Sequence, residues 1–498
     1  MSEPKQTGSG AGDSGPVTFI RWAVPLFLSV AVLILARDLD PKQRNVAAVF
    51  ALTVGLWITQ ALPLAITALL STALLVLLGG LGEGAAFAAY GDPVILLFVG
   101  SFLLAKAMET TRLDERLAWW TLRNRAAAAN ESRLVLTTGV ISATFSLFVS
   151  NTATAAMLLP IVSRVVAATK GTGTRLAAAL MLMLTWGSSV AVGVPVGTPP
   201  NLIGIGLIRD ATGTRITFLQ WMAFGMPITI VMVFAGWFLL RIVDLRGPRP
   251  TVEASRMAEQ RVADLGPVSA SQRNTMMAFS LALVLWIAPD LAAALSQLFT
   301  GSTPAAVSWM QNHITATVAS LIAATLLFIL PAADRPEGRT LTWKEALGID
   351  WGVVLLFGGG IALGHAMFAS GLAKVIGEAS VRLVGAESLW AITAVCIALS
   401  LLLSELASNT AAATTVVPIA IGLAQGAGVS PIPPALGAAL GASFGFLLPV
   451  STPPNAIVYS SGHLTSAQMA KRGFLLDLAG FVATWACLRL ILPPLGLA

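Results

Sequence analysis

Long apolar runs separated by short polar ones set the pattern of this chain. Runs able to cross about 30 Å of hydrocarbon fall at 17–36, 46–62, 63–82, 93–109, 175–208, 217–241, 274–297, 311–331, 352–371, 434–462 and 473–495. They predict eleven transmembrane helices. Two further apolar blocks, 134–169 and 386–423, carry Ser-Asn-Thr at their centres and a proline ten residues after the serine, Pro160 and Pro418. A helix break facing lipid leaves backbone groups unpaired, so such breaks are buried in protein or line a wet cavity. Both blocks therefore read as re-entrant helical hairpins, and the predicted fold class is an all-α polytopic membrane protein.

Composition agrees with that reading. The 498 residues are 56% hydrophobic and 11% charged, less than half the charged share of an ordinary soluble domain. The formal net charge of +6 does not point to nucleic acid, because the Lys and Arg residues sit in short loops between apolar runs. With the N-terminus cytoplasmic and the hairpins not crossing, the cytoplasmic loops are 110–133 (Arg112, Arg116, Arg123, Arg125, Arg133), 242–273 (Arg246, Arg249, Arg256, Arg261, Arg273) and 332–345 (Arg335, Arg339, Lys344). The external connections 83–92 and 298–310 carry no Lys or Arg, as the positive-inside rule requires. The first hairpin then enters from the cytoplasm and the second from outside. Residues 1–16 read as a disordered Gly/Ser-rich tail, and 242–273 as a polar linker between two halves. Cys396 and Cys487 lie far apart in apolar runs and read as small core residues.

The halves are related by an internal repeat. VILLFVGSFLLAKAM (94–108) matches VVLLFGGGIALGHAM (353–367), SNTATAAMLLP (150–160) matches SNTAAATTVVP (408–418), and GTPPNLI (197–203) matches STPPNAI (451–457). Three matched blocks in one order, 259, 258 and 254 residues apart, mark a duplicated half. Under the layout above, 94–108 runs inward and 353–367 outward. Inverted-topology repeats of this kind place substrate near the bilayer midplane at discontinuous helices.

The repeated motifs carry suitable chemistry. A helix that restarts at Ser-Asn-Thr offers free N–H groups, a positive dipole end and hydroxyl and amide donors, which suits a carboxylate. Carbonyls released where the preceding half-helix ends suit Na⁺. In the TPPN segments two consecutive prolines remove N–H donors and disfavour helix before them, so Thr198 and Thr452 should lie in unwound backbone with free carbonyls and hydroxyls. Asn201 and Asn455 are candidate caps of the restarted helices, and Gly197 permits close backbone approach to an ion.

Paired SNT signatures, paired TPPN segments and the repeat together resemble the divalent anion/sodium symporter family of dicarboxylate, citrate and sulfate transporters. The resemblance covers about residues 17–495. It implies a homodimer of protomers with eleven spans and two hairpins, working as an elevator. Scaffold helices would be 17–92 and 274–345. The moving parts would come from repeat 1 (93–241, with broken helix 175–208) and repeat 2 (346–495, with broken helix 434–462 and last helix 473–495). The family's first sodium site matches Ser146, Ser150, Asn151 and Gly197, and its second matches Ser404, Ala407, Asn409 and Ser451. Substrate carboxylates would be held by Asn151, Thr152 and Thr198 on one side. On the other they would meet Ser408, Asn409, Thr410, Thr452 and Pro453. One departure is ITQALPL, with Gln60 where the family's stretch is acidic.

The functional expectation is Na⁺-coupled symport of C4-dicarboxylates such as succinate, malate or fumarate, in a bacterial inner membrane and in contact with its lipid. A sodium-independent dicarboxylate exchanger and a citrate or sulfate carrier are the alternatives. Na⁺ is the co-transported ion and no organic cofactor is implied. No span holds a close Asp pair and no His lies near a Ser tip, which argues against an intramembrane enzyme. Lys106 and His365 occupy nearby positions in the repeated helix and could face the cavity or serve packing. His313 and His463 read as interfacial. Glu405, beside the second tip, reads as a proton or cation partner or half of a salt bridge. Thirteen Trp against two Tyr suit interfacial belts.

Overall fold

In the computed structural model the described residues are 16–127, 129–168, 173–245, 252–384 and 388–498. Nearly all of the expected tail, and Arg246 and Arg249 of the linker, lie outside them. The apolar runs are helical because a helix pairs its own backbone groups where no water can.

The chain opens with α1 (Pro16–Leu35), α2 (Pro41–Thr59), α3 (Leu64–Leu77) and short α4 (Glu83–Ala88). Gln60 takes a left-handed conformation where α2 ends, φ 51°. α5 (Pro93–Thr110) starts at Asp92, whose carboxylate accepts the Val94 amide at 2.8 Å, with Pro93 at the first helical position. After α6 (Leu113–Leu122) come the arms of the first hairpin, α7 (Glu131–Ser146) and α8 (Asn151–Ala168). The expected span 175–208 is two helices, α9 (Gly173–Ser189) and α10 (Pro199–Thr212), and α11 (Phe218–Val243) follows.

The polar stretch 242–273 is more than a linker, since it contains α12 (Val252–Asp264). The buried Arg116 of α6 donates to the carbonyls of Leu265, Gly266 and Pro267 at 2.8–3.1 Å, and so caps the C-terminal end of α12.

Then come α13 (Ala270–Thr300), α14 (Ala305–His313), α15 (Ala316–Ile329), α16 (Trp343–Ala346), α17 (Trp351–Ala369) and α18 (Leu372–Val384). The expected single span 311–331 is instead bent by 67° between α14 and α15, where Thr315 caps a new start with its hydroxyl on the Val318 amide. The second hairpin is α19 (Leu389–Leu406) and α20 (Asn409–Gly426). The expected span 434–462 is again two helices, α21 (Ile432–Gly441) and α22 (Pro453–Tyr459), and α23 (Ser466–Ile491) is the last long helix. Among the described residues, seven helices are long and apolar enough to cross a membrane singly, and the α14–α15 pair makes an eighth if it is one span. With helices of this length and apolarity, the protein is an integral membrane protein.

Each half's broken helix packs on the other half's hairpin: α10 lies against α20, and α22 against α8. The tryptophans only partly follow the expected interfacial pattern. Trp309 and Trp343 are exposed, but Trp57, Trp119, Trp186 and Trp221 are fully buried. Trp221 can be, because its indole N–H donates to the Val192 carbonyl at 2.9 Å.

Candidate functional site

The two hairpin tips are built alike. In the first, the Ser150 hydroxyl accepts the Ala153 amide at 3.2 Å, capping α8, and the Ser146 hydroxyl donates to Asn151 Oδ1 at 2.7 Å. In the second, the Ser408 hydroxyl accepts the Ala411 amide at 3.2 Å, and the Ser404 hydroxyl donates to Asn409 Oδ1 at 2.9 Å. The last turn of one arm thus orients the first asparagine of the next. The serine cap occupies one N–H of each restarted helix and leaves the first-turn amides around Asn151-Thr152 and Asn409-Thr410 for an anion.

Facing the tips are the unwound segments. Thr198 (φ −141°, ψ 149°) and Thr452 (φ −138°, ψ 149°) are extended, as two following prolines demand. Their polar groups are not free, contrary to the sequence expectation. The Thr198 hydroxyl meets Asn201 Oδ1 at 3.2 Å and the Ser443 hydroxyl at 3.0 Å, and its carbonyl accepts the Asn201 amide. The Thr452 hydroxyl accepts the Asn455 amide at 3.3 Å, so the cap of α22 is Thr452 and not Asn455. The asparagines instead hold the unwound backbone. Asn201 Nδ2 donates to the Val194 carbonyl at 2.9 Å, and Asn455 Nδ2 to those of Gly445 and Leu448, both at 2.9 Å. The Val194 carbonyl also accepts the Gly197 amide and that of Leu448 the Ser451 amide, while the Gly445 carbonyl has Asn455 as its donor.

Around the tips and unwound segments, side-chain bonds cross between the halves. Thr185 of α9 donates to Asn455 Oδ1 at 2.6 Å, and Ser443 meets Thr198. Ser443 also accepts, through its carbonyl, from Asn409 Nδ2 at 3.3 Å, so it joins the second tip to the first unwound segment. Neither Thr185 nor Ser443 was singled out by sequence. Their one signal is a lone hydroxyl inside an apolar run, LMLTWG and GASFG.

The candidate residues sort by depth. Thr152 and Pro453 are exposed, and Ser150, Asn151, Ser408 and Asn409 half-buried. Ser146, Gly197, Thr198, Ser404, Ala407, Thr410, Ser451 and Thr452 lie buried behind them. A Cβ on Gly197 would sit 2.3 Å from the Ala191 carbonyl oxygen, so only glycine allows this backbone approach.

The other polar candidates find local partners. Lys106 pairs with Glu109 at 3.0 Å, and His365 of α17 meets Asp210 of α10 at 2.8 Å, beside an Arg209–Asp92 pair at 2.5 Å. His313 stacks on Trp309, and His463 is exposed at a helix end. Glu405 forms no salt bridge among the described residues. It accepts the Leu447 amide at 3.1 Å and the Ser451 hydroxyl at 2.5 Å. Cys396 is buried and Cys487 half-buried, and both are unpaired. A cavity of about 460 Å³ runs from the first tip (Val149, Ala153) along α8 to Arg164, with Arg112 and Asp114 opposite. Burial pushes the Asp114 carboxyl, which lies outside the spans, up to about 7.

The arrangement offers anion-binding helix starts and buried neutral oxygens, with no ion pair at either tip among the described residues. Known proteins agree with it. The crystal structure of the Alcanivorax borkumensis YdaH transporter shares the fold at a TM-score of 0.57 with 14% identity, covering 86% of this chain and 89% of that one. A Staphylococcus saprophyticus protein, sodium-dependent dicarboxylate transporter SdcS, is 31% identical over 481 residues, 94% of this chain and 90% of its own. Its Staphylococcus aureus counterpart is 32% identical over 484 residues, 94% and 89% of the two chains. The family described as sodium:sulfate symporter transmembrane region matches residues 18–494. From end to end of its helical part, the chain belongs to this divalent anion/sodium symporter family.

Proposed function

We propose that this protein carries C4-dicarboxylates such as succinate, malate or fumarate into a bacterial cell, coupled to Na⁺. The observation that supports this best is the matched pair of tips, each with a serine-oriented asparagine at the start of a helix. Two like anion sites suit a ligand with a carboxylate at each end. SdcS, named as a sodium-dependent dicarboxylate transporter, points the same way.

In this reading Asn151, Thr152 and Thr198 meet one carboxylate, and Ser408, Asn409, Thr410, Thr452 and Pro453 meet the other. Thr198 acts through its backbone, because its hydroxyl is already engaged. Na⁺ is cargo. One ion lies among Ser146, Ser150, Asn151 and Gly197, and a second among Ser404, Ala407, Asn409 and Ser451. Each asparagine touches an ion and the substrate, which ties occupancy of one to the other. The protomer works as half of a homodimer in the plasma membrane with its N-terminus cytoplasmic. Two inverted repeats form an elevator that slides against a scaffold built from 17–92 and 274–345.

Reconstituted protein is tested with succinate, citrate, glutamate and sulfate, with and without a Na⁺ gradient. Na⁺-driven, saturable succinate uptake is the expected result. Robust succinate counterflow without Na⁺ would overturn symport in favour of exchange, and preference for citrate or sulfate would overturn the substrate class.

A further inference from the structure

The repeat makes one part of the second half conspicuous. α11 and α23 are both 26 residues long and start 248 residues apart. Gly225 of α11 packs on the Val192 backbone and Gly473 of α23 on that of Phe446, so the helices serve equivalent places. One turn later, Thr229 corresponds to Asp477, and in the hairpins Leu147 corresponds to Glu405. In the first half this place is neutral: the Thr229 hydroxyl donates to the Val190 carbonyl at 2.9 Å, and Leu147 fills apolar space beside Gly193. In the second half it holds two carboxyls.

Asp477 is 3% exposed and Glu405 7% exposed. Asp477 faces the Glu405 carboxyl and the Phe446 backbone amide. Among the described residues no donor meets either of its oxygens at full hydrogen-bond geometry. None of the ion pairs among the described residues includes either group. Two buried carboxyls that face each other without a basic partner are met either by a shared proton or by a cation. The fold itself does not call for them, since Leu147 and Thr229 serve the same packing.

We propose that Glu405 and Asp477, with Ser451, form a third Na⁺ site behind the second tip. This rests on the Na⁺-coupled reading above. The Ser451 hydroxyl lies 2.5 Å from a Glu405 carboxylate oxygen and 3.2 Å from the Glu405 carbonyl, a cluster of the hard oxygens such a cation takes. A proton shared between the two carboxyls is the competing occupant, and a pH gradient separates it from sodium in the test below. Ser451 also belongs to the second ion site, so the two ions share a wall and bind in sequence.

The test counts Na⁺ per dicarboxylate from the reversal of net flux in proteoliposomes with opposed gradients. Wild type is expected to move three, and Asp477→Asn and Asp477→Thr, the latter copying Thr229, to move two with a Hill coefficient for Na⁺ lower by about one. A wild-type ratio of two overturns the proposal even if neither variant folds. So does a variant that keeps the wild-type ratio, or a third charge driven by a pH gradient and not by Na⁺. Absence of any Na⁺ drive in wild type would be a failure of the symport reading itself, and is thereby distinguished.

Discussion

Asn455→Ala isolates what holds the second unwound segment. The side chain donates to two carbonyls at 2.9 Å and accepts from Thr185 at 2.6 Å, all in a fully buried place. Truncation removes three hydrogen bonds and strips the Gly445 carbonyl of its donor, while the Leu448 carbonyl keeps the Ser451 amide. With one buried orphan costing about 1–3 kcal/mol and the two other lost bonds about 1 kcal/mol each, the loss sums to about 3–5 kcal/mol. Asn455→Asp separates geometry from size. It keeps the acceptor for Thr185 but aims a carboxylate oxygen at the carbonyls of Gly445 and Leu448, so repulsion replaces both donated bonds. Asp should therefore destabilise more than Ala, although it is nearly isosteric with Asn. Unfolding of purified protein by sodium dodecyl sulfate titration gives the ordering wild type, then Ala, then Asp. If Asp is as stable as Ala or more so, Nδ2 is not what fixes this backbone, and the assignment of its bonds is wrong.

Further outcomes follow from other contacts. Asn151→Ala and Asn409→Ala should each weaken succinate and Na⁺ together, by about 10- to 100-fold in apparent affinity if a charge-assisted bond of about 1.5–3 kcal/mol is lost; an unchanged Na⁺ dependence would break the proposed coupling. Gly197→Ala should abolish Na⁺-dependent uptake. Gly206→Ala, whose nearest neighbours are 3.9 Å away, should be tolerated, so equal uptake by both would refute the close-approach argument. Asp114 holds in the folded chain a proton that the unfolded chain, at 3.8, releases. Its contribution to stability is full below about pH 4, falls as pH rises toward 7 and is flat above. Asp114→Asn should remove that slope from pH-dependent melting curves, and a slope that survives would place its origin elsewhere. Asp210→Cys and His365→Cys, replacing side chains that join α10 to α17 at 2.8 Å, should arrest uptake reversibly when bridged by a short bifunctional thiol cross-linker, and unchanged uptake after bridging would show that the two helices move together.

Elements read well from sequence wherever the signal was local. The Ser-Asn-Thr caps and the extended threonines before Pro-Pro each depend on a few consecutive residues. Asn201 and Asn455 were misread as caps because their partners are decided by where the unwound chain turns back, which no neighbouring residue encodes. Thr185 and Ser443 escaped notice because their partners are 270 and 245 residues away. The buried tryptophans deceived in a similar way: an indole looks interfacial until a carbonyl such as that of Val192 is brought to it. The bend between α14 and α15 had a local mark, Thr315, but hydropathy averages over such a cap.

The bonds that cross between halves bear on how the chain is made. Thr198 emerges from the ribosome long before Ser443, and Thr185 long before Asn455, so the first half is synthesised with its unwound segment unsupported by the second. Contacts of such sequence separation form slowly. During that interval the insertion machinery or a chaperone must shelter a membrane protein whose first unwound segment is complete in sequence and unfinished in shape. A first half expressed alone should remain in that state, and adding the second half in trans should finish it.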